Sequence, residues 1–365
     1  MDPLLSFEYL RAVENALSDN MEFRYIFLFD KKKPVGFSYC QICPFSARES
    51  IKSLRSGKNS ESFIKTILAS WVGFTAFVCG NLLLTGQCGY YFIPDYRGRE
   101  MNILLPVWKQ CFESERRRNR RLSIQFIKDL PDAGCKEAID YLEQRDYFRF
   151  KVQPAMLLNI DPVWQSLEDY LDALKSKYRI RMRQALKKSA KLVRRECELE
   201  EMIENRSRFQ ELLNNVLEES DFRIVEFNID YLIAIKKNLG TSFRIRTYYI
   251  EDQLIGFMTY FICPQKVLAH FTGFETRLNK KLDIYLNMLI DLVDQAIQLK
   301  TLELDFSRTA LEIKSSVGAV PIPMSNFLWH FNCTKHKLLP KLFRSLYTPE
   351  EWTQRRPFRT NFQAK

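Results

Sequence analysis

The chain has 365 residues, of which 46% are hydrophobic and 27% charged, and its formal net charge is +11. Single hydrophobic cores seldom grow beyond about 250 to 300 residues, so this composition predicts a globular protein with two cores. The 12 glycines form no GxGxxG or GxxxxGK[ST] run, which argues against a glycine-rich phosphate loop. The positive charge favours an anionic partner: a phosphate-bearing substrate, a nucleic acid such as tRNA, or peripheral contact with an anionic membrane.

The sequence shows no signal for export or membrane insertion. No basic segment followed by an apolar run opens it, and no uncharged apolar run reaches about 18 residues. The nine cysteines, an odd number, indicate reduced thiols and a cytoplasmic location. Cys40 and Cys43 form a lone CxxC in an alternating strand pattern, and the three histidines (His270, His330, His336) lie far from it in the sequence. We therefore expect no metal site and no histidine-based catalytic triad.

Hydrophobic periodicity predicts alternating helices and strands in the first half. In chain order we expect a helix at 3–17, strands at 23–29 and 35–42, a loop at 44–58, a helix near 60–68, strands at 71–78 and 81–92, a helix at 100–118, a strand at 122–127, a helix at 133–145, and a strand at 147–158 interrupted at Pro154.

The second half repeats this order of elements. We expect helices at 163–174, 176–195, 208–218 and 229–238, strands at 243–250, 254–263 and 267–274, a long helix at 282–299, a strand at 302–306, a helical turn from 308, and a last strand at 325–331. The pattern predicts an α/β (α+β) protein with mixed sheets. We expect two related domains, at residues 1–158 and 159–333, followed by a tail at 334–365.

The segment from Lys175 to Arg195 is the most basic part of the chain, because it holds ten basic and no acidic residues. Such a helix could hold a polyphosphate, a diphosphate or a tRNA backbone through charge-assisted hydrogen bonds. It could equally be a solvated helix that faces the acidic run at 196–204.

A short strand near the end of the second half delivers four charged residues in close succession. Asp305 and Glu312 are candidates for proton handling or for binding an amine, and Lys314 and Arg308 are candidates for binding phosphate or carboxylate. Arg308 and Glu312 are four residues apart, so we expect them to pair on one helical face. The alternative is an ordinary surface ion pair, with Asp305 capping the following helix. Ser307 has no identifiable histidine base.

Two segments of the second half carry a resemblance to a known family. YLDALKSKYRIRMRQALKKS, from Tyr170 to Ser189, and HFTGFETRLNKKLDIYLNMLIDLVDQAIQLKTLELDFSRTALEIKSSVGA, from His270 to Ala319, resemble the GNAT acyltransferase superfamily. In particular they resemble its two-domain Fem-type branch, the bacterial peptidoglycan aminoacyltransferases and their relatives.

The resemblance implies two tandem GNAT-like domains and transfer of an acyl or aminoacyl group to an amine. The donor would be acyl-CoA or aminoacyl-tRNA, and the acceptor a cell-wall precursor or a nucleotide-linked sugar. By the same resemblance, Arg179 and Arg183 match basic positions that contact the phosphates of the acceptor, and Lys314 matches a lysine near the transfer centre. The candidate catalytic residues are therefore Asp305, Glu312 and Lys314, and the candidate substrate-binding residues are Arg179, Arg183 and Arg308.

The sequence departs from the family at the donor site. Members that use coenzyme A carry an Arg/Gln-x-x-Gly-x-Gly/Ala turn before the long helix, whose backbone N–H groups hold the pyrophosphate. Here the corresponding stretch, from Arg277 to Leu282, has no glycine. Arg277, Lys280 and Lys281 are the candidate donor-binding residues, because they could neutralise phosphates. The alternative function is a non-catalytic GNAT-fold protein that binds nucleic acid or anionic membrane through its basic helix.

Overall fold

The computed structural model of the chain describes residues 2–45, 74–86, 88–96, 98–218, 228–346 and 351–359. The helix expected near 60–68 lies outside these residues, as do most of the loop expected at 44–58 and the first residues of the strand expected at 71–78.

The described residues form two mixed β-sheets covered by helices, which confirms the predicted α/β class. The strands are β1 (Glu22–Asp30), β2 (Lys33–Phe45), β3 (Phe74–Cys79), β4 (Tyr90–Phe92), β5 (Leu122–Pro131), β6 (Phe148–Lys151), β7 (Ala155–Asn159), β8 (Val193–Glu196), β9 (Phe243–Ile250), β10 (Gln253–Ile262), β11 (Lys266–Phe274), β12 (Glu303–Asp305), β13 (Val320–Ile322) and β14 (Met324–His330).

The α-helices are α1 (Phe7–Leu17), α2 (Glu100–Arg118), α3 (Lys136–Gln144), α4 (Leu167–Ala173), α5 (Ser176–Lys188), α6 (Leu199–Glu204), α7 (Arg206–Glu218), α8 (Ile229–Leu239), α9 (Thr276–Leu282), α10 (Ile284–Gln298), α11 (Leu311–Ser316) and α12 (Cys333–Leu346). None of the helices in the described residues combines the length and apolar character needed to cross a bilayer.

Each sheet contains one strand from the opposite half of the chain. The first sheet has the order β1-β2-β3-β5-β14-β6, with β4 paired to β2, and the second has the order β13-β7-β12-β11-β10-β9-β8. In the first sheet β3 and β5 are parallel, in the second β11 and β12 are parallel, and the other neighbours are antiparallel. The two sheets are therefore joined by exchanged strands.

This exchange corrects two sequence-based predictions. The strand expected at 147–158 is two strands in different sheets, and Pro154, which has no N–H to donate to a ladder, lies between them. The strand expected at 325–331 was assigned to the second half, but it pairs with β5 and β6 of the first sheet. Local periodicity identifies a strand but not its partner. The division into domains at 158 and 333 stays a prediction.

Other elements follow their sequence signals to different degrees. The helix predicted at 100–118 is α2, and the hairpin and third strand predicted at 243–274 are β9 to β11. Of the strand predicted at 81–92, only β4 forms. The basic helix predicted at 176–195 ends at Lys188, because Val193 and Arg194 instead pair with β9 as an edge strand. A break at Asp283, with φ of +48°, separates α9 from α10 in the helix predicted at 282–299.

Helix α2 shows how the sequence produces a core. Leu104, Trp108 and Phe112 recur at four-residue spacing, and all three are buried against the first sheet. Burial of each such side chain stabilises the fold by about 1.5 to 3 kcal/mol. The Trp108 indole N–H donates to Ser38 Oγ on β2 at 2.8 Å, which orients the helix on the sheet.

The first helix packs with the second half of the chain rather than with the first sheet alone. Tyr9 and Leu10 of α1 share a hydrophobic core with Leu232 and Ile235 of α8 and with Phe261 of β10. The two halves are therefore connected through apolar packing as well as through the exchanged strands.

Part of the tail predicted at 334–365 packs on the second half. The Phe358 ring lies 5.6 Å from the Trp164 ring and 6.0 Å from the Tyr170 ring, between centroids. It also covers Gly318, where a Cβ atom would overlap the Phe358 ring. Gly318 has φ of +101°, a conformation that other residues rarely adopt.

We expect Gly318→Ala to destabilise the protein by about 2 to 4 kcal/mol, because it adds a steric overlap with Phe358 to the backbone strain of a positive φ. The matched control is Gly134→Ala, since Gly134 has φ of +84° and no atom within 4 Å of an added Cβ. That control should cost only about 1 kcal/mol. Urea unfolding measures both; equal losses would show that Phe358 does not press on this position.

Candidate active site

The site lies where β12 ends beside the parallel strand β11, which continues to Phe274. Leu268 lies opposite Asp305 at the last paired position. Beyond this position the Ser307 hydroxyl donates a hydrogen bond to the Ala269 carbonyl oxygen at 2.8 Å. A side chain thus replaces the backbone ladder at the carboxyl end of β12, where the pairing of the two parallel strands stops while β11 continues. Ligands of open α/β sheets bind outside the carboxyl ends of strands.

Asp305 is a carboxylate enclosed by protein, with 7% of its surface exposed. Burial raises its pKa, and the neighbouring cations Lys266, Lys314 and Arg308 act in the opposite direction. One carboxylate oxygen accepts a hydrogen bond from the Ser307 backbone N–H at 2.8 Å. The alternative that Asp305 caps the following helix is wrong, because α11 begins only at Leu311.

Lys314 on α11 is buried beside Asp305, with 4% of its surface exposed. Its ammonium donates to the Phe306 carbonyl oxygen at 2.6 Å and to the Arg308 carbonyl oxygen. Burial lowers its pKa to about 7, although the Asp305 charge opposes the change. Its position is fixed by these two carbonyl groups, so the lysine does not extend into solvent to bind a phosphate or carboxylate. At neutral pH it can still exchange a proton.

The segment between β12 and α11 is held in an unusual backbone conformation. Ser307, Thr309 and Ala310 have φ of +59°, +67° and +48°. Non-glycine residues in this region cost roughly 1 to 2 kcal/mol each. The bonds from Lys314 to two carbonyl groups of this segment help to offset that cost. Strained backbone of this kind clusters at functional sites, which supports placing the site here.

Arg308 does not pair with Glu312 as predicted. Its guanidinium pairs with Asp129 of β5, and its Nε donates to the Gln153 carbonyl oxygen at 2.9 Å. The prediction fails because Arg308 precedes α11, so helical spacing does not apply to it. Asp129 is fully buried; burial alone would raise its pKa, but Lys128 and Arg308 lower it to about 2. This ion pair joins the two sheets.

Glu312 lies apart from Asp305, on the opposite side of α11 from Lys314. It pairs with Arg355, whose Nε lies 3.0 Å from Glu312 Oε1, and it lines a pocket of about 130 Å³. The other pocket residues are Lys177, Tyr178 and Arg181 on α5. The predicted cluster of four residues is therefore two sites, an inner one around Asp305 and Lys314 and an outer one around Glu312.

Arg179 and Arg183 contact neighbouring carboxylates rather than the pocket. Arg179 lies 3.4 Å from Asp172, and Arg183 lies 2.9 Å from Glu168. Both carboxylates are about two-thirds exposed, so an anionic ligand could displace them at little cost. Substrate binding by these two arginines stays a prediction.

The candidate donor-binding residues Arg277, Lys280 and Lys281 are exposed on α9. The start of α10, by contrast, is already occupied: the Tyr285 backbone N–H donates to Asn279 Oδ1 at 3.0 Å. Asp283 places a carboxylate at the same helix end, paired with Lys188 at 2.7 Å. A diphosphate would meet the Asp283 carboxylate and would have to displace Asn279 from the Tyr285 N–H, so the residues present fit coenzyme A poorly.

Sequence reasoning missed the residues that come from distant segments. Asp129 and Arg355 lie far from the strand-end cluster along the chain, and no sequence signal points to them. Lys177 and Arg181 belong to the predicted basic helix, and their four-residue spacing could have shown that they share one face. The charge of Lys266 lowers the pKa of Asp305 and so opposes the effect of burial. Lys266 follows a turn, and no distinctive sequence pattern marks it.

The two cysteines of the CxxC pair and one of the histidines pack inside the protein. Cys40 and Cys43 are buried in β2, and burial raises the pKa of Cys43 to about 11. His270 Nε2 lies 3.0 Å from the Tyr231 hydroxyl, and burial lowers the pKa of this histidine to about 3. The described residues contain no group of three His, Cys, Asp or Glu side chains placed to hold a metal ion.

The fold matches solved structures. FemX superposes with a TM-score of 0.58 at 12% identity, over 90% of this chain and 92% of FemX. The chain has the two-domain, Fem-like GNAT fold. A tandem GNAT protein from the clavulanic acid biosynthesis pathway gives 0.48 at 11% identity over 87% of each chain. L-PGS from Bacillus licheniformis gives 0.45 at 10% identity, over 91% of this chain and 96% of L-PGS. No protein-family model and no curated protein sequence matches the chain.

The candidate site lies near the centre of the second sheet. β11 and β12 are its parallel pair, and β7, the strand from the first half, lies next to β12. The predicted tandem GNAT-like fold is thus confirmed, whereas the role of each site residue stays a prediction.

We expect Asp129→Asn to destabilise the protein by about 3 to 5 kcal/mol at pH 7, because it leaves Lys128 and Arg308 without their buried partner. The folded-state pKa of Asp129 lies below its unfolded value, so its contribution is present above about pH 4 and is lost as pH falls towards 2. Urea unfolding of wild type and variant should therefore converge in acid. Asp230→Asn, which removes an exposed pair with Arg206, is the control and should change the midpoint little. If the difference in unfolding free energy between wild type and Asp129→Asn did not change with pH, Asp129 would not be an ionised partner of Lys128 and Arg308.

Proposed function

We propose that the chain is an N-acyltransferase that moves an acyl or aminoacyl group from a carrier to an amine. The observation that supports this proposal is the buried Lys314, whose pKa is lowered to about 7 beside the buried Asp305 at the carboxyl end of β12. The Fem-like GNAT fold is consistent with it.

Amine acylation requires a base, because an amine acceptor arrives as an ammonium ion. Loss of one proton exposes the lone pair, and a C–N bond then forms at the acyl carbon. The carrier leaves with the electron pair of its bond to the acyl carbon and takes up the second proton that the nitrogen loses. A neutral Lys314 has two N–H groups, which match the two carbonyl oxygens of Phe306 and Arg308. Its lone pair is then left to accept the proton. The charge of Asp305 stabilises the resulting ammonium.

The outer pocket is suited to an anionic acceptor. Lys177, Arg181 and Arg355 place three cations around about 130 Å³, against the single carboxylate of Glu312. A phosphate could replace Glu312 as the partner of Arg355, since planar guanidinium groups bind both anions. We therefore infer a phosphate-bearing acceptor, such as a cell-wall precursor or a nucleotide-linked sugar. We also propose a cytoplasmic location, where such nucleotide-linked acceptors would be met.

We infer that aminoacyl-tRNA is the donor rather than acyl-CoA. Asp283 and Asn279 occupy the start of α10, whereas Arg277, Lys280 and Lys281 offer exposed cations to a longer polyanion. A tRNA backbone needs spaced surface cations and not a tight glycine turn.

A transfer assay tests the proposal. Purified protein is incubated with tritiated acetyl-CoA or with tRNA charged with labelled amino acids, together with amine-bearing nucleotide sugars and nucleotide-linked peptides. We expect label to pass from charged tRNA to one acceptor, with the mass increase of one aminoacyl group. If neither donor binds, and RNA or lipid binding falls steeply with salt, the chain is instead a binding protein that uses the exposed cations of α5.

Lys314→Met should lower turnover about 10²- to 10³-fold, because it removes the base while keeping the length of the side chain. The wild-type rate should rise with pH through about 7, as Lys314 loses its proton. The variant should lose this dependence and remain folded by circular dichroism. Wild-type turnover in Lys314→Met would remove this residue from the mechanism.

The acceptor pocket is tested by two double variants on the same helix. Lys177→Ala with Arg181→Ala removes two of the three pocket cations, whereas Arg179→Ala with Arg183→Ala removes the same charge from the adjacent face. We expect the first pair to raise the KM for the acceptor at least tenfold with little change in kcat. We expect a smaller rise from the second pair, whose side chains contact Asp172 and Glu168. If the second pair raised the KM more than the first, the acceptor would bind at the Arg179 and Arg183 face instead.

A further inference from the structure

The hairpin of β1 and β2 carries an exposed group of aromatic side chains. Phe27 and Phe29 on β1 are 64% and 62% exposed, and Tyr91 on β4 is 54% exposed. Phe37 on β2 lies opposite both Phe27 and Tyr91 in the strand register, so the row spans three strands. The ring centroids of Phe27 and Phe37 are 5.9 Å apart. Contiguous apolar surface of this kind usually marks an interaction site.

Phe27, Phe29 and Tyr91 belong to none of the hydrophobic clusters of the described residues, whereas Phe37 is partly buried against the cluster that contains Tyr39. Ile26 and Leu28 alternate with the exposed rings along β1 and pack against the core of the first sheet from the opposite face. Removing Phe27 and Phe29 should therefore leave the fold intact.

Three lysines lie at the tip of the same hairpin. Lys31, Lys32 and Lys33 are consecutive and exposed, and Lys31 and Lys32 have φ of +44° and +74°, as a tight hairpin turn requires. The described residues place no carboxylate in an ion pair with them. The neighbouring carboxylate of Asp30 accepts a hydrogen bond from the Tyr96 hydroxyl instead. The tip therefore carries three charges that lack a partner within the described chain.

We propose that this aromatic–lysine surface, formed by Phe27, Phe29, Phe37, Tyr91 and Lys31 to Lys33, binds an anionic phospholipid bilayer. Aromatic rings enter the boundary between headgroups and acyl chains, and lysines pair with lipid phosphates. The surface presents both groups side by side, and it is separate from the basic helix α5. This inference does not depend on the proposed transferase activity.

A second copy of the chain fits this surface less well. Pairing along the exposed edge of β1 would cover its backbone but leave the rings of β2 and β4 exposed. Face-to-face pairing would bring two sets of three lysines into one interface without supplying an anion. A lipid surface satisfies the rings and the lysines together.

The test is sedimentation with vesicles made of equal parts of phosphatidylglycerol and phosphatidylcholine, compared with pure phosphatidylcholine vesicles. We expect wild-type protein to sediment with the anionic vesicles. Phe27→Ser with Phe29→Ser should weaken this binding on the order of tenfold or more. Lys31→Asn, Lys32→Asn and Lys33→Gln together should weaken it roughly 100-fold, since each lysine near an anionic surface contributes about fivefold; asparagine tolerates the positive φ of the turn.

Two matched controls separate this surface from general charge and hydrophobicity. Arg117→Gln, Arg118→Gln and Arg120→Gln remove three exposed charges at the far end of α2. Val163→Ser with Ile203→Ser removes two other exposed apolar side chains. Both controls should bind vesicles like wild type. The inference is overturned if wild type does not bind, if the arginine control weakens binding as much as the lysine variant, or if wild type is a dimer that Phe27→Ser with Phe29→Ser makes monomeric without affecting vesicle binding.

Discussion

The buried ion pair between Asp129 and Arg308 is the constraint on which the candidate site depends. A fully buried carboxylate is tolerated only when it is paired, so Asp129 fixes the position of Arg308 across the boundary between the two sheets. The carbonyl group of Arg308 in turn accepts a hydrogen bond from Lys314, which lies beside Asp305. A residue of the first sheet thus determines the geometry at the strand ends of the second sheet, although it touches neither Asp305 nor Lys314 in these contacts.

Helix α11 connects the two parts of the site. Glu312 and Lys314 are two residues apart on one helix, so they point in different directions, Lys314 into the protein and Glu312 towards α5. This arrangement keeps proton exchange in a buried position, where burial shifts the lysine pKa. It leaves anion binding at the surface, where cations remain hydrated and charged. A rigid helix holds the two functions at a fixed separation.

Much of the fold could be predicted from local sequence patterns, because these patterns report which face of an element is buried. Helix α2 and strands β9 to β11 are examples. The partners of β7 and β14 could not be predicted, since alternation is the same whichever sheet a strand joins. For the site, Asp305 and Lys314 lie close together, as their closeness in the sequence suggests, because a strand end and the following helix are neighbours in most folds; their roles stay predictions. The predicted pair of Arg308 and Glu312 does not form, because Thr309 and Ala310, which both have positive φ, interrupt the helix on which the prediction relied.

The exchanged strand β14 has a consequence for how the protein forms during synthesis. β14 lies between β5 and β6, so the first sheet remains divided until residues 324–330 have left the ribosome. The amino-terminal strands must therefore wait with two open edges while about two hundred further residues are made. Open strand edges associate readily with other chains. We therefore expect folding to be sensitive to chaperones and to the rate of translation, whatever reaction the folded protein performs.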